Sequence, residues 1–483
     1  MTEGVRGSIS FCNFMQIADI AFYGALSFIA GTLAAGFELP VVLTVSFLAT
    51  AFFVFSLILK WGPKEFLFIL FLFIFGIFYY NFFFNLKESS QKIIFGENIA
   101  FSGIVSKEPQ LSEKFKRLTV ELRPPLAGEI SILASLSPEM NYGDVIEATG
   151  EIIPSAFKNQ EPISFFPEFK IIGEHQGFFI KEKLLSFKKS VIFQFKKFLP
   201  SDSAALLSGL TLGWRGDFTD EFKKEMSLSG TTHLVALSGY NITILVLVVA
   251  GAFSFWLSRR LTFWLTTAVI CLFIAMVGAE ASVVRAAIMG FLALVAKETG
   301  RRNSMRNAIT LTAAVMVFVD PSAPFDIGFQ LSFLSLIGIV YLSPAINDLL
   351  RIRSDSKSFL SWRENAVTTL SAQLAVAPVL IQVFGNFSLT SIVANVLILE
   401  FVPLTMLFGF LLAAFGWLFY YAGFVLSFLE NIFLKYEIGV IKLFADWSMP
   451  VFSDANSWFL FAIYYLAIIT FGVHMTKPKN IKK

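Results

Sequence analysis

The chain has 483 residues, of which 56% are hydrophobic and only 15% charged, and its mean hydropathy is +0.70. These proportions exclude an ordinary soluble globular protein and indicate a polytopic membrane protein. The net charge of +3 says little as a sum, because the placement of Lys and Arg matters more in such proteins. Two cysteines and three scattered histidines provide neither a disulfide framework nor metal-ligand spacing. The sequence therefore predicts no metal site and no cofactor.

The chain opens with apolar runs long enough to cross a bilayer, which takes roughly 20 residues. The predicted spans are 17–37, 39–59 and 66–84. No convincing small-residue cleavage site separates the first two runs, so the first is predicted to be a retained span and not a signal peptide. Residues 1–86 are thus an N-terminal membrane segment of three spans.

Hydropathy falls sharply at residue 87, and the chain stays polar and rich in turns to about residue 175. Short pieces such as RLTVEL (117–122) and GEISILASL (128–136) alternate apolar and polar residues, separated by Pro, Gly and Asn. Period-2 alternation at this spacing predicts a small all-β barrel or sandwich. Residues 87–179 are therefore predicted to be an inserted soluble β domain.

The β domain does not have the charge of a general DNA platform. Residues 87–174 hold nine Lys or Arg against thirteen Asp or Glu, a net of −4, whereas such a platform should be basic. One local patch alternates basic residues with an aromatic ring, as binding of single strands requires: Lys114, Phe115, Lys116 and Arg117. The alternative, which we favour at this stage, is an ordinary hairpin tip.

A lysine-rich amphipathic helix is predicted between the β domain and the second membrane block. In residues 180–199, Leu184, Val191, Phe195 and Phe198 share one stripe, and six lysines lie mostly elsewhere. This pattern predicts a helix in the membrane interface, with lysines that meet anionic headgroups or approaching DNA. With the polar segment that follows it, the helix forms a connection over residues 180–229.

Residues 230–476 form the second membrane block. The predicted spans are 234–257, 261–278, 282–298, 308–319, 327–343, 366–384, 388–424 and 457–475. The run 388–424 has room for two helices broken near Pro403, and residues 425–447 look interfacial or partly buried. Basic residues cluster in alternate loops and in the tail 477–483, which predicts cytoplasmic termini and an extracytoplasmic β domain.

The stretch GTTHLVALSGYNI interrupts the first span of this block with polar residues, which are costly at membrane depth and normally face a bundle interior or a wet cavity. His233 could bind phosphate or a gating partner, or it could be a structural histidine. Polar residues at 238–241 could line a pore, or they could pack helices together through hydrogen bonds. The candidate path residues here are Thr231, Thr232, His233, Ser238, Gly239 and Asn241.

Four more polar residues in this block are candidates for the same path. Arg285 follows Glu280 by five positions, about 140° around a helix, so the two should not pair on one face. Its partner could be a passing phosphate, or else Asp326 or a helix-end carbonyl. Asp326 could also cap a helix, and Gln330 and Asn395 suit either a polar lumen or helix–helix hydrogen bonds.

Four ordered blocks resemble the competence domain of the ComEC family. They are SAALLSGLTLGWRGDFTDEFKKEMSLSGTTHLVALSGYNI (203–242), VRAAIMG (284–290), DPSAPFDIGFQLSFLSLIGIVYL (320–342) and FGNFSLTSIVANVLILEFVP (384–403). The segments GIVSKEP, YGDVIEATGEI and FFPEFKIIG resemble the extracytoplasmic OB-like domain of that family. The apolar runs predict a polytopic α-helical membrane protein of about 10–12 spans, and the resemblance implies that its inserted β domain is OB-like.

The resemblance implies an inner-membrane channel that takes up single-stranded DNA during natural transformation. It also implies a separate DNA receptor, nuclease and cytoplasmic ATPase, because the chain has neither a nucleotide-hydrolysis motif nor the C-terminal metallo-β-lactamase-like domain of many members. We therefore expect no enzymatic activity. Two alternatives stay open, which are a secondary transporter of a small solute and a non-transporting membrane scaffold derived from the same family.

Overall fold

The computed structural model describes residues 17–37, 63–112, 114–155, 161–235, 237–298, 304–350, 362–384, 386–388, 390–447, 450–452, 461–468 and 470. The predicted span 39–59, the tail 477–483 and most of the predicted span 457–475 lie outside these residues. The chain divides into two compact units. The first comprises Met1–Ser89 with Val295–Phe325, and the second comprises Ser90–Leu294 with Asp326–Lys483.

Fifteen α-helices and nine strands follow one another along the described residues. In chain order they are α1 (Ile17–Gly36), α2 (Pro63–Ser90), β1 (Gly96–Val105), β2 (Gln110–Leu111), β3 (Lys116–Leu122), β4 (Gly128–Ala134), β5 (Val145–Ile152), β6 (Ile163–Phe165), β7 (Glu168–Gly173), α3 (Phe179–Phe198), α4 (Ser201–Leu212), α5 (Asp220–Leu228), α6 (Thr232–Val235), α7 (Gly239–Trp256), α8 (Arg259–Val277), α9 (Ala281–Glu298), α10 (Met305–Val319), α11 (Ile327–Leu350), α12 (Trp362–Phe384), β8 (Asn386–Ser388), α13 (Ser391–Leu399), α14 (Val402–Leu418), α15 (Tyr420–Asp446) and β9 (Pro450–Phe452).

In the first unit, α1 packs against α2 and α10. Two glycines face each other where α1 meets α2, because a Cβ atom on Gly31 would lie 2.1 Å from the Phe73 carbonyl oxygen, and one on Gly76 would lie 2.5 Å from that of Phe28. Small residues permit this close approach of two apolar helices. The Ser27 hydroxyl donates across the same contact to the Ile69 carbonyl oxygen at 2.9 Å.

The β domain opens the second unit and is one seven-stranded sheet. Its order is β6-β4-β3-β1-β5-β7, with β2 paired to β3. All pairs are antiparallel except β4 with β6. The strands alternate as the sequence predicts, since β3 buries Leu118, Val120 and Leu122 against the domain core and points the residues between them outward.

Six of the described helices are long and apolar enough to cross a membrane, and a seventh span is possible if α13 and α14 form one broken span, bent by 48°. The six are α1, α2, α7, α8, α11 and α12. The break between α13 and α14 falls at residues 400–401, close to the predicted break near Pro403. The chain is therefore a polytopic helical membrane protein with an inserted β domain.

Helix α4 lies at the centre of the second unit's helical core, with ten of its twelve residues buried. Helix α3 packs on the same core through Phe195, with Leu184, Val191 and Phe198 partly buried against it. The stripe that the sequence assigned to the membrane interface is thus buried against protein. The opposite side of α3 exposes other aromatic rings, including Phe187 at 60%.

Candidate functional site

The polar segment between α5 and α7 is a break in the helical core. Helix α5 ends at Leu228, Gly230 takes a positive φ of 68°, and α6 makes a single turn before α7 begins at Gly239. Ser238 caps α7, because its hydroxyl accepts the Asn241 backbone N–H at 3.4 Å. The interruption in the hydropathy pattern therefore corresponds to a helix start inside the core.

Asn241 ties this helix start to α4. Its side-chain amide donates to the Leu210 carbonyl oxygen at 3.0 Å, its amide oxygen accepts from the Ser238 hydroxyl at 3.0 Å, and the residue is 3% exposed. A buried amide with both ends bonded fixes the two helices together. The geometry thus supports the hydrogen-bonding role of Asn241 in packing, which was the second of the two sequence interpretations.

The first residues of the segment divide into two environments. Thr231 is fully buried, with its hydroxyl 2.8 Å from that of Ser229 and its N–H bonded to the Met226 carbonyl oxygen at 2.8 Å. Thr232 and His233 are exposed on α6. The latter two therefore face away from the packing that buries Thr231.

Arg285 on α9 lies beside the start of α7. Its guanidinium donates to the Ser332 backbone carbonyl on α11 and sits 5.8 Å from the centre of the Phe333 ring. A Cβ atom at Gly239 would come within 3.1 Å of a guanidinium nitrogen, so glycine leaves room for the cation there. Arg285 therefore lies against the first residue of α7, where a larger side chain would crowd the guanidinium.

Among the described residues, no carboxylate forms an ion pair with Arg285. Glu280 instead lies 3.4 Å from Arg215, in an exposed pair. It does not pair with Arg285, as the sequence analysis predicted. Asp326 is exposed and caps α11, accepting the Phe329 N–H at 2.8 Å. A half-buried cation bonded to a neutral carbonyl and an aromatic face retains capacity for an anion.

The remaining path candidates are Gln330 and Asn395. Gln330 is half-buried on the second turn of α11, where its N–H bonds to the Asp326 carbonyl oxygen at 3.0 Å. Asn395 on α13 is 1% exposed, and its amide oxygen has no hydrogen-bond partner among the described residues. The structure thus brings together Ser238, Gly239 and Arg285, with Asn241 bonded behind them.

The structure contradicts the prediction of a basic–aromatic patch on the β domain. Lys116 is 1% exposed, because strand alternation turns it inward, where its ammonium donates to the carbonyl oxygens of Leu136, at 3.4 Å, and Pro138. Burial lowers the pKa of the Lys116 ammonium below its ordinary value. Lys114, Phe115 and Arg117 remain exposed at the β2–β3 hairpin, so the four residues do not share one surface.

The lysines of α3 hold the β domain, a role that the sequence analysis missed. Lys181 donates to the Ser106 carbonyl oxygen at 3.1 Å, and the Lys188 ammonium lies 2.7 Å from the Glu108 carboxylate. Lys181 and Lys188 are seven residues apart, so they share a helix face, and this spacing was the available signal. Much of the positive charge assigned to lipid or DNA is therefore engaged within the protein.

Comparison with known proteins bears on this group of residues. A family model described as Competence protein matches residues 210–477, which include the broken helix and Arg285. ComE operon protein 3 of Bacillus subtilis (strain 168) is 28% identical over 298 residues, which cover 59% of this chain and 37% of that protein. The match thus spans little more than a third of the relative's length. No solved structure matches the chain.

Proposed function

The chain belongs to the Competence protein family, and from this premise we propose that it is an inner-membrane channel for single-stranded DNA during natural transformation. The membrane helices carry the path, and the β domain lies on the extracytoplasmic side, with both termini in the cytoplasm. The strand enters from a separate DNA receptor and nuclease, and a cytoplasmic ATPase draws it in. The protein itself carries out no covalent chemistry.

The observation that supports this proposal most directly is the environment of Arg285. Its guanidinium contacts the Ser332 carbonyl and the Phe333 ring, next to Gly239 at the start of a broken helix. Charged residues among membrane helices are costly and commonly mark ion or substrate pathways. In this proposal, the phosphates of the strand provide the negative charge that the described protein residues do not place beside Arg285.

A path for a polyanion must bind it weakly enough to release it. A single cation with neutral hydrogen-bonding neighbours meets this requirement, because a row of cations would hold the phosphates too tightly. Gly239 leaves open backbone next to that cation, and Ser238 caps the helix start beside it. Asn241 holds the start of α7 in place through its hydrogen bond to the Leu210 carbonyl oxygen on α4.

The test is entry of fluorescently labelled DNA into the cytoplasm of the native host, with the gene deleted and then restored. We expect deletion to stall DNA outside the inner membrane, wild type to restore entry, Arg285→Lys to restore part of it and Arg285→Ala to restore little. Arg260→Ala is the matched control, since Arg260 is exposed at the first turn of α8. The amount of each variant in the membrane is measured in parallel.

Two results would overturn the proposal. Undiminished entry after deletion in a demonstrably transformable host would show that this chain does not conduct DNA. Full entry with Arg285→Ala, at a normal membrane level, would place Arg285 off the path and favour a structural role for it. Loss of entry with Arg260→Ala alone would place the critical cation at the start of α8 instead.

A further inference from the structure

Helix α15 carries two glutamates into the helical core of the second unit. Its buried stripe includes Ser427, Glu430, Leu434, Glu437 and Ile441, and both glutamates are 0% exposed. They are seven residues apart, so they lie about 20° from each other around the helix and about 10 Å along it. Both carboxyl groups therefore belong to the face that packs against the rest of the bundle.

These carboxyl groups lack the partners that a buried charge requires. Neither oxygen of Glu430 has a hydrogen bond within the described part of the chain, and one oxygen of Glu437 also has none. No Lys, Arg or His among the described residues forms an ion pair with either group. An unpaired carboxylate in such a site is strongly unfavourable because it has lost its hydration, and a second one on the same face adds repulsion.

The helices packed against α15 bring no cation to this face. Helices α13 and α14 contain no charged residue, and α5 faces the core with Phe222 and Met226. The charged residues of α15 outside its buried stripe are exposed: Lys435, Lys442 and Asp446. The charged residues in the last turn of α3 and in α4 and α5 are Lys196, Lys197, Asp202, Asp220, Glu221, Lys223, Lys224 and Glu225.

The charged side chains of α3, α4 and α5 contact other partners or face solvent. Lys196 pairs with Asp217 at 2.7 Å, Lys223 pairs with Asp220 at 3.2 Å, and the Lys197 ammonium lies 5.3 Å from the centre of the Tyr420 ring at the start of α15. None of these cations bonds to the two buried glutamates. Another positive species must therefore neutralise the two groups.

The hydroxyl of Thr405 contacts one carboxyl group of the pair. It lies 3.2 Å from the Phe401 carbonyl oxygen one turn earlier in α14, and 2.7 Å from one carboxyl oxygen of Glu437. A hydroxyl has one proton to donate, and a carbonyl oxygen can only accept. Thr405 donates that proton to Glu437 at the shorter distance, which leaves the other oxygen of Glu437 and both oxygens of Glu430 without a donor in the described part of the chain.

We propose that Glu430 and Glu437 form a buried proton-binding pair, held in the neutral carboxylic acid form at neutral pH. Each group takes one proton from water and becomes uncharged, which removes the repulsion between the two groups and the cost of burying their charge. This inference concerns α15 and its neighbours, and it does not depend on the proposed passage of DNA. Raising the pH removes the protons and leaves charge inside the helical core.

The direct test is infrared spectroscopy of the full chain in lipid nanodiscs at neutral pH. A protonated carboxyl group has a carbonyl band that a carboxylate lacks and that shifts in D₂O. We expect Glu430→Gln and Glu437→Gln each to remove part of this band and the double variant to remove both parts. Asp446→Asn is the matched control, because Asp446 is exposed on the same helix, and it should leave the band unchanged.

The second test is thermal unfolding of the same samples from about pH 6 to about pH 9. Each group that is protonated only in the folded state lowers the folding equilibrium constant about tenfold per pH unit as the pH rises. Wild type should therefore lose stability relative to the double variant across this range. The two curves should have the same pH dependence if neither glutamate binds a proton, and that result would overturn the inference.

Two further measurements test the proposal. One applies if a glutamine variant fails to accumulate, and the other applies if a metal cation replaces the proton. A wild-type spectrum without any protonated-carboxyl band at neutral pH contradicts the proposal without the need for a variant. Stabilisation of wild type by Na⁺ at fixed pH, absent from the double variant, would assign the pair to a cation instead. A band that is present and insensitive to Na⁺ supports the proton.

Discussion

The contact between Lys188 on α3 and Glu108 of the β domain is the clearest place to test what holds the two together. The ammonium lies 2.7 Å from the carboxylate, and the side chains are 2% and 21% exposed, respectively. The Lys188 ammonium also lies 5.5 Å from the centre of the Trp214 ring. We expect loss of either charge to loosen the β domain from the helix, because the remaining charge stays partly or wholly buried.

The exposed fractions of the two side chains determine which substitution costs more stability. Removing one member of a buried ion pair costs about 3–5 kcal/mol. Lys188→Met leaves a carboxylate that is 21% exposed and can regain water, so its cost should lie near the lower end, about 3 kcal/mol. Glu108→Ala leaves an ammonium that is 2% exposed, so its cost should lie nearer 5 kcal/mol. The double variant that combines Lys188→Met with Glu108→Leu should recover much of the stability that either single variant loses.

Hydrogen–deuterium exchange of the full chain in nanodiscs measures this locally. A cost of about 3 kcal/mol corresponds to exchange roughly 160-fold faster in peptides from β1 and α3, provided that they exchange by opening together. Lys223→Met is the matched control, because its pair with Asp220 is exposed and is worth about 0.5 kcal/mol. Equal protection in Lys188→Met and Lys223→Met would refute the assignment of this contact as the attachment of the β domain.

Two further predictions concern packing and pH. Gly31→Ala should destabilise the first unit by about 1–3 kcal/mol or more, because its Cβ would lie 2.1 Å from the Phe73 carbonyl oxygen. Gly251→Ala is the control, because no atom lies within 4 Å of its Cβ, and it should leave the unfolding midpoint unchanged or slightly raised. A smaller loss of stability for Gly31→Ala than for Gly251→Ala would contradict the close helix contact. Burial raises the pKa of the Asp144 carboxyl in the β domain, so folding takes up a proton and stability falls as the pH rises from the unfolded value of about 3.9. Asp144→Asn should flatten that acid-side slope in a thermal unfolding series, and an unchanged slope would assign it to other groups.

Several features of this chain follow from short-range patterns in its sequence. Long apolar runs identify the helices that can cross a membrane, since the length of a run is set by the thickness of the bilayer. Alternation in RLTVEL identifies β3, because side chains in a strand point to opposite faces in turn. The polar stretch at 238–241 identifies an interruption of a membrane helix, because polar side chains are costly at membrane depth. Each of these features depends only on residues that are close together along the chain.

The partners of the charged residues were decided by the tertiary structure alone. Glu108 and Lys188 are 80 residues apart in sequence, Arg285 contacts a carbonyl 47 residues away, and Lys116 is turned into the β domain instead of toward solvent. A local pattern predicts which face of an element a residue occupies but not which element covers that face. Charge is the property most affected by this limit, because the same lysine is a lipid or DNA contact when exposed and a structural anchor when buried beside a carboxylate.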